Sequence, residues 1–181
     1  RQGEPVNILL EFSLLSDLLV LKLSHPPSGS LLERISHGII TVLQQSRRPV
    51  LFVKEEARAV SSILLPFTGS QKSKEALFVA AYYAARYDSD LHLLLETRGT
   101  EKDEMDRYSA QTYLERLGVK AEFHQVSSGA FADNVISLAE TLAVSTVIMG
   151  GYESATILDR VFSQAIDEIL AKVSVPVMIC Q

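Results

Sequence analysis

The chain has a single cysteine, Cys180, among 181 residues. That excludes an intrachain disulfide and fits a reducing, cytoplasmic setting. It also has no basic excess: the net charge is −5, which leaves no electrostatic footprint for nucleic acid or an anionic membrane. Arg47 and Arg48 form a local pair of the kind a solvated loop carries. No long apolar run is present. The most apolar window, 7–23, is broken by Glu11, Asp17 and Lys22, whereas a membrane-spanning helix needs about 20 mostly uncharged residues. There is no Walker lysine loop, no Gly-x-Gly-x-x-Gly and no Gly-x-Ser-x-Gly elbow, so nothing commits the chain to catalysis. His25, His37, His92 and His124 stand at no metal-ligand spacing and read as surface or strand-end residues, and no metal is expected. No signal peptide is visible. The chain opens mid-pattern without a methionine, which leaves room for a preceding segment.

With 47% apolar residues the chain can bury a substantial core, and its length suggests one domain or slightly more. Its most informative stretch is 147–180: an apolar strand, Gly150 and Gly151, a polar connection, an amphipathic helix, and a second apolar strand led by Pro176. This is a βαβ crossover. Glycines at the carboxyl end of such a strand let the chain turn sharply and let an anion approach backbone N–H groups, and open parallel sheets bind ligands at that edge. The stretch occurs twice. Residues 16–53 repeat the order of strand, small-residue loop, helix and Pro-Val-led strand, with Leu43 six residues before Pro49 as Leu170 is before Pro176. Upstream, 1–12 matches 127–140, each a glycine-containing lead-in to an amphipathic helix.

In order, the pattern predicts a helix over 6–15, a buried strand over 18–21, a loop at 25–29, a helix over 31–43 and a strand over 50–53. Residues 54–60 read as a linker. A second unit follows, with a strand at 63–67, a Thr68-Gly69-Ser70 turn, and a helix whose Ala76, Ala80, Ala81, Ala84 and Ala85 form a small-residue packing face. Next come a strand at 90–95, a helix at 101–117 capped by Thr100 and stopped by Gly118, a strand at 119–126 and a helix at 131–143. Five strands alternating with helices demand a doubly wound, five-stranded parallel α/β sheet with right-handed crossovers over 61–181. Residues 1–54 hold only the closing helix-strand-helix-strand part of the same series. Glu101, Asp103, Glu104 and Asp106 are expected on a solvated helix face, and Tyr82, Tyr83, Tyr87, Tyr108 and Tyr113 at helix-packing positions.

These residues resemble the universal stress protein family. ILLPFTGSQKSKEALFVAAYYAA, from Ile63, is similar to that family's first strand, turn and alanine-rich helix, while VIMGG and PVMIC are similar to its fourth and fifth strands. The resemblance covers 61–181 whole and implies an adenine nucleotide alpha hydrolase-like sheet preceded, over 1–54, by an incomplete first copy in a tandem arrangement.

Nucleotide-binding members carry Gly, two residues, Gly, nine residues, then Gly and Ser or Thr. On this chain those positions are Gly150, Glu153, and Ser163 with Gln164, and thirteen residues then lead from Ser163 to Pro176. The aspartate of such members, after the first strand and its Pro66, is Thr68. In the first copy the leading glycine is Lys22, and the closing pair falls near Ser36 and His37 with one extra loop residue. A cradle at Gly150 and Gly151, completed by Ser154 and a helix beginning near Ser163, would offer N–H groups to a phosphate. Glu153 opposes it: two like charges about 5 Å apart at an effective dielectric of about 20 repel by roughly 3 kcal/mol, about a hundredfold in affinity.

The two closing strands, Val50, Leu51, Phe52 and Val53 in one and Val177, Met178, Ile179 and Cys180 in the other, are apolar ends that need cover. Mutual antiparallel pairing is the simplest cover, and the resemblance implies it. The apolar surface at 18–21 should recruit another molecule. Three functions compete: a non-catalytic stress-response module acting by protein association with no cofactor, an ATP or AMP sensor (with Mg²⁺ if ATP), and a cytosolic regulatory domain of a transporter.

Overall fold

A computed structural model describes residues 5–23, 39–54, 59–127, 129–151 and 157–181, excluding the side chains of 39–40 and 157–164. The elements are α1 (Pro5–Ser13), β1 (Leu19–Lys22), α2 (Ile39–Gln45), β2 (Val50–Val53), β3 (Ser62–Phe67), α3 (Gln71–Tyr87), β4 (Asp90–Thr97), α4 (Glu101–Arg116), β5 (Glu122–Ser127), α5 (Phe131–Thr141), β6 (Thr146–Gly150), α6 (Ile157–Lys172) and β7 (Val177–Cys180). The strands form one sheet in the order β1-β2-β7-β6-β3-β4-β5. Every neighbouring pair is parallel except β2 with β7. The expected five-stranded sheet is therefore the β7-β6-β3-β4-β5 part of a continuous sheet of seven.

Helices cover both faces, as continuous apolar parallel strands require. On one face α1, α2, α5 and α6 pack Val6, Leu43, Val135, Ile166 and Leu170 against Phe52, Leu64, Leu94, Val147 and Ile179. On the other, α3 and α4 pack Ala76, Ala80, Ala84 and Leu114 against Ile63, Leu65, Leu93, Ile148 and Met178. The alanine face of α3 brings its backbone close to the sheet, although Ala85 lies outside that stripe and is exposed. Tyr82, Tyr87 and Tyr108 are also exposed, at 57–71%, because they project from the solvent side of their helices; Tyr83 and Tyr113 pack as expected.

Helix α4 begins with a reciprocal cap. Thr100 Oγ1 accepts from Asp103 N at 3.3 Å, and the Asp103 carboxylate accepts from Thr100 N at 3.0 Å and Arg98 N at 2.8 Å. These backbone N–H donors hold the Asp103 carboxyl below the usual aspartate range. Its contribution to stability is thus present at neutral pH and lost as pH falls through that depressed value. Thr100→Ala should cost about 1 kcal/mol, read as a lower urea midpoint at unchanged slope.

The register of β1-β2-β7-β6 is symmetric. Leu51 faces Met178, with Val50 opposite Ile179 and Phe52 opposite Val177. On one side Leu19 faces Val50 and Lys22 faces Val53; on the other Val147 faces Val177 and Gly150 faces Cys180. The flanking hydrogen bonds repeat as well. Leu19 N donates to Pro49 O and Val147 N to Pro176 O, both at 3.0 Å, while Leu23 N donates to Val53 O and Gly151 N to Cys180 O. Behind the strands, Ser46 N donates to Val42 O and Val173 N to Ile169 O at corresponding positions. Lys54, at the end of β2, crosses this seam and donates from Nζ to Ala171 O at 3.3 Å and to Val173 O, so it caps the carboxyl end of α6 rather than serving only as linker.

Candidate functional site

Chain order reverses between β3 and β6: β4 and β5 lie on one side, β7 on the other. The crevice at the carboxyl ends of those two strands is where open α/β sheets place ligands. Pro66 widens it. Ser61 O accepts from Asp90 N on the β4 side and Ser62 O accepts from Ser145 N on the β6 side, so by alternation the backbone of residue 66 points toward β6, where proline has no N–H to give. The β3–β6 ladder accordingly ends at Leu64 with Val147, while β3–β4 continues to Phe67 with Leu95.

Pro66 and Thr68 thus stand on one side of the crevice and Gly150 and Gly151 on the other. The glycines are occupied structurally. A Cβ on Gly150 would meet the Lys72 carbonyl carbon at 2.6 Å, its oxygen at 2.8 Å and Ser73 N at 2.8 Å, because the first turn of α3 rests directly on this residue. The N–H of Gly151 is donated to Cys180 O at 2.6 Å and is not free for an anion. A Cβ there would come within 2.8 Å of the same carbonyl. Nor does the α3 terminus present all its donors, since Ser73 N donates to Ser70 Oγ at 3.2 Å.

The far wall of the cradle also differs from expectation. Helix α6 begins at Ile157, not near Ser163, so the Ser163 N–H lies beyond the four unpaired donors of the first turn and closes an intrahelical bond. Glu153 and Ser154 lie outside the described residues, as do Ser36 and His37 and the side chains of Ser163 and Gln164. Beside Thr68, a shallow depression is lined by Phe67, Leu95, Glu96, Thr97, Asp103, Asp106 and Gln125. Asp106 is not simply on a solvated face: its carboxylate lies where a Cβ on Gly69 would be. Three carboxylates at the ends of β4 and α4 oppose an incoming phosphate.

A second grouping went unread in the sequence. His92 Nδ1 and His124 Nε2 are 3.3 Å apart, and Glu122 Oε2 lies 3.3 Å from the first and 3.8 Å from the second. His92 and His124 lie toward the amino ends of β4 and β5 with side chains 11% and 26% exposed, not free surface residues. Burial, then the facing His92, holds the His124 imidazole below its ordinary pKa. The pair is 32 residues apart in sequence, and only the β4–β5 register, His92 opposite Glu122 and Leu94 opposite His124, joins it. Cys180, in the seam, is buried and free, and burial pushes its thiol up to about 12.

No protein-family model and no curated protein sequence matches the chain. Solved structures do. A universal stress protein from Archaeoglobus fulgidus DSM 4304 superposes with a TM-score of 0.80 at 18% identity, over 99% of this chain and 66% of that one. A universal stress protein in complex with cAMP matches with a TM-score of 0.58 at 18% identity, over 68% of this chain and 98% of that one. Another, from Archaeoglobus fulgidus in complex with dAMP, gives 0.51 at 15% identity, over 68% and 100%. The class is an α/β protein with the adenine nucleotide alpha hydrolase-like sheet. More narrowly, the chain has the fold of the universal stress proteins, and it spans 66% of the length of the first of these.

Proposed function

We propose that the chain is a universal stress protein-like regulatory module, non-catalytic, that acts by protein association and in which nucleotide binding is weak or lost. Its parts are a complete unit over 61–181 and the closing half of a second over 1–54. The observation that carries this reading is the two-fold register about Leu51 and Met178, in which each half contributes a Pro-led strand and the parallel strand beside it. The coverage of the relatives supports it: one is matched over the whole chain but is longer, and two are matched almost whole by about two thirds of it. Burial supports it too. Ile148 on β6 is 1% exposed beneath α3, whereas Val20, at the same register position on β1, is 57% exposed. Phe12, Leu14, Leu15 and Val20 therefore leave an apolar margin around edge strand β1, the kind of surface that recruits a protein partner or a second copy. Among the described residues no helix is long and apolar enough to cross a membrane.

Weak nucleotide binding follows from the committed Gly151 N–H, the α3 turn seated on Gly150, and the carboxylates beside Thr68. A sensor of adenine nucleotides is the second reading, favoured by the cAMP and dAMP complexes of two proteins sharing the fold. Calorimetric titration separates the two. The proposal expects no saturable heat with ATP and Mg²⁺ up to about 1 mM in protein shown by circular dichroism to be folded. A micromolar dissociation constant would establish the sensor instead.

A further inference from the structure

The His92, Glu122 and His124 group lies toward the amino end of β4 and β5, away from the crevice, and no part of the proposed association or nucleotide reading uses it. We propose that it is a binding site for one borderline transition-metal dication, Zn²⁺ or a close equivalent, which ties edge strand β5 to β4. The ligands would be His92 Nδ1, His124 Nε2 and the Glu122 carboxylate, the three donors that converge here.

The geometry is specific. The three separations of 3.3, 3.3 and 3.8 Å define a circle of about 2.0 Å radius, so one point is equidistant from all three atoms at about the length of a Zn–N or Zn–O bond. The donor set is also selective: two imidazole nitrogens favour Zn²⁺ and its neighbours over Mg²⁺ or Ca²⁺, which take oxygen. Without a metal, the two imidazole nitrogens and a carboxylate oxygen converge on a space where a single N–H can serve only some of the contacts. Burial does not bar loading, because Glu122 is 71% exposed. Three protein ligands leave a fourth position for water or for a group from another molecule. The local order follows from the ladder: Glu122 and His124 are two apart on one face of β5, and His92 is directly across from Glu122.

The test is calorimetric titration of chelator-treated, tag-free protein with ZnCl₂, with Co²⁺ as a spectroscopic probe. The site predicts one equivalent bound with a micromolar or tighter dissociation constant, visible four-coordinate Co²⁺ bands, and a rise in Tm on Zn²⁺ addition. His124→Gln and Glu122→Gln each remove a direct ligand and should weaken binding by at least the roughly hundredfold that loss of an outer-shell partner can cost. His92→Gln, being more buried, is read alongside a circular dichroism check of folding. A His25→Gln and His37→Gln double variant should bind as the parent does. Absence of binding by folded protein at about 1 mM Zn²⁺ overturns the site, as does binding that survives in His124→Gln but is lost with His25 and His37.

Discussion

Gly150→Val should destabilise the protein by about 3 kcal/mol whether or not any nucleotide is present. The added side chain would meet backbone atoms of Lys72 and Ser73 at 2.6–2.8 Å, and backbone within the first turn of a seventeen-residue helix cannot yield as the end of a flexible side chain would. The strain is relieved only by lifting α3 from β6, which uncovers Ile148 and Met178, now 1% and 4% exposed. Overpacking of this kind costs up to about 3 kcal/mol and occasionally more, a large part of the 5–15 kcal/mol typical of a domain. Gly150→Ala should show a smaller loss of the same kind. The check is urea unfolding followed by circular dichroism, with and without ATP. A variant of parental stability that has lost only a ligand would show that this glycine serves a phosphate rather than a helix.

The second large effect is expected at the seam. Phe52, 1% exposed, faces Val177 across the antiparallel pair, and Ile179, fully buried, holds the symmetric position facing Val50. Phe52→Ala should cost about 4 kcal/mol and Ile179→Ala about 3 kcal/mol, within the range for large-to-small changes in a packed core. Both side chains belong to one cluster that also takes in Leu43, Ile169 and Leu170, so the two variants should lower a single cooperative transition rather than release one half. Cys180 supplies the readout. Its thiol is buried and pushed up to about 12, the setting in which cysteines are inert, and where labelling follows the opening equilibrium, 4 kcal/mol corresponds to about a thousandfold faster modification at 1.4 kcal/mol per decade. A Phe52→Ala protein labelled no faster than the parent would contradict a single transition that joins Phe52 on one face of the sheet to Cys180 on the other.

Most of the sheet was legible in the sequence because its inner strands are short apolar runs punctuated by proline and glycine, whereas the alternating edge strand β5, expected at 119–126, runs from Glu122 to Ser127. β2 and β7 occur where Pro49 and Pro176 announced them, and the Thr100 cap and Gly118, at φ +68°, end α4 as its pattern requires. In that sheet Lys22 faces Val53 as Gly150 faces Cys180, the correspondence that the proposed repeat expects. The site was less so. That Gly150 and Gly151 are small is visible in the sequence; whether their neighbour is a phosphate, a helix turn or the Cys180 carbonyl is decided by residues 29 or more positions away. The start of α6 was misplaced because a family spacing was carried over as though it marked a helix end, although Ile157 and Leu158 already continue an apolar helical stripe. The His92, Glu122 and His124 group carried one weak signal, Glu122 and His124 in phase on a strand. Its third member appears only once β4 and β5 are placed in register.

Cross-strand nuclear Overhauser contacts in the isotopically labelled protein would address the symmetric seam without perturbing it. Contacts are expected to join Leu51 to Met178, Val50 to Ile179 and Phe52 to Val177, with no parallel set between these strands. Contacts shifted by one residue, joining Leu51 to Val177 or to Ile179, would contradict the two-fold relation on which the proposed function rests, as would the absence of any contact between β2 and β7.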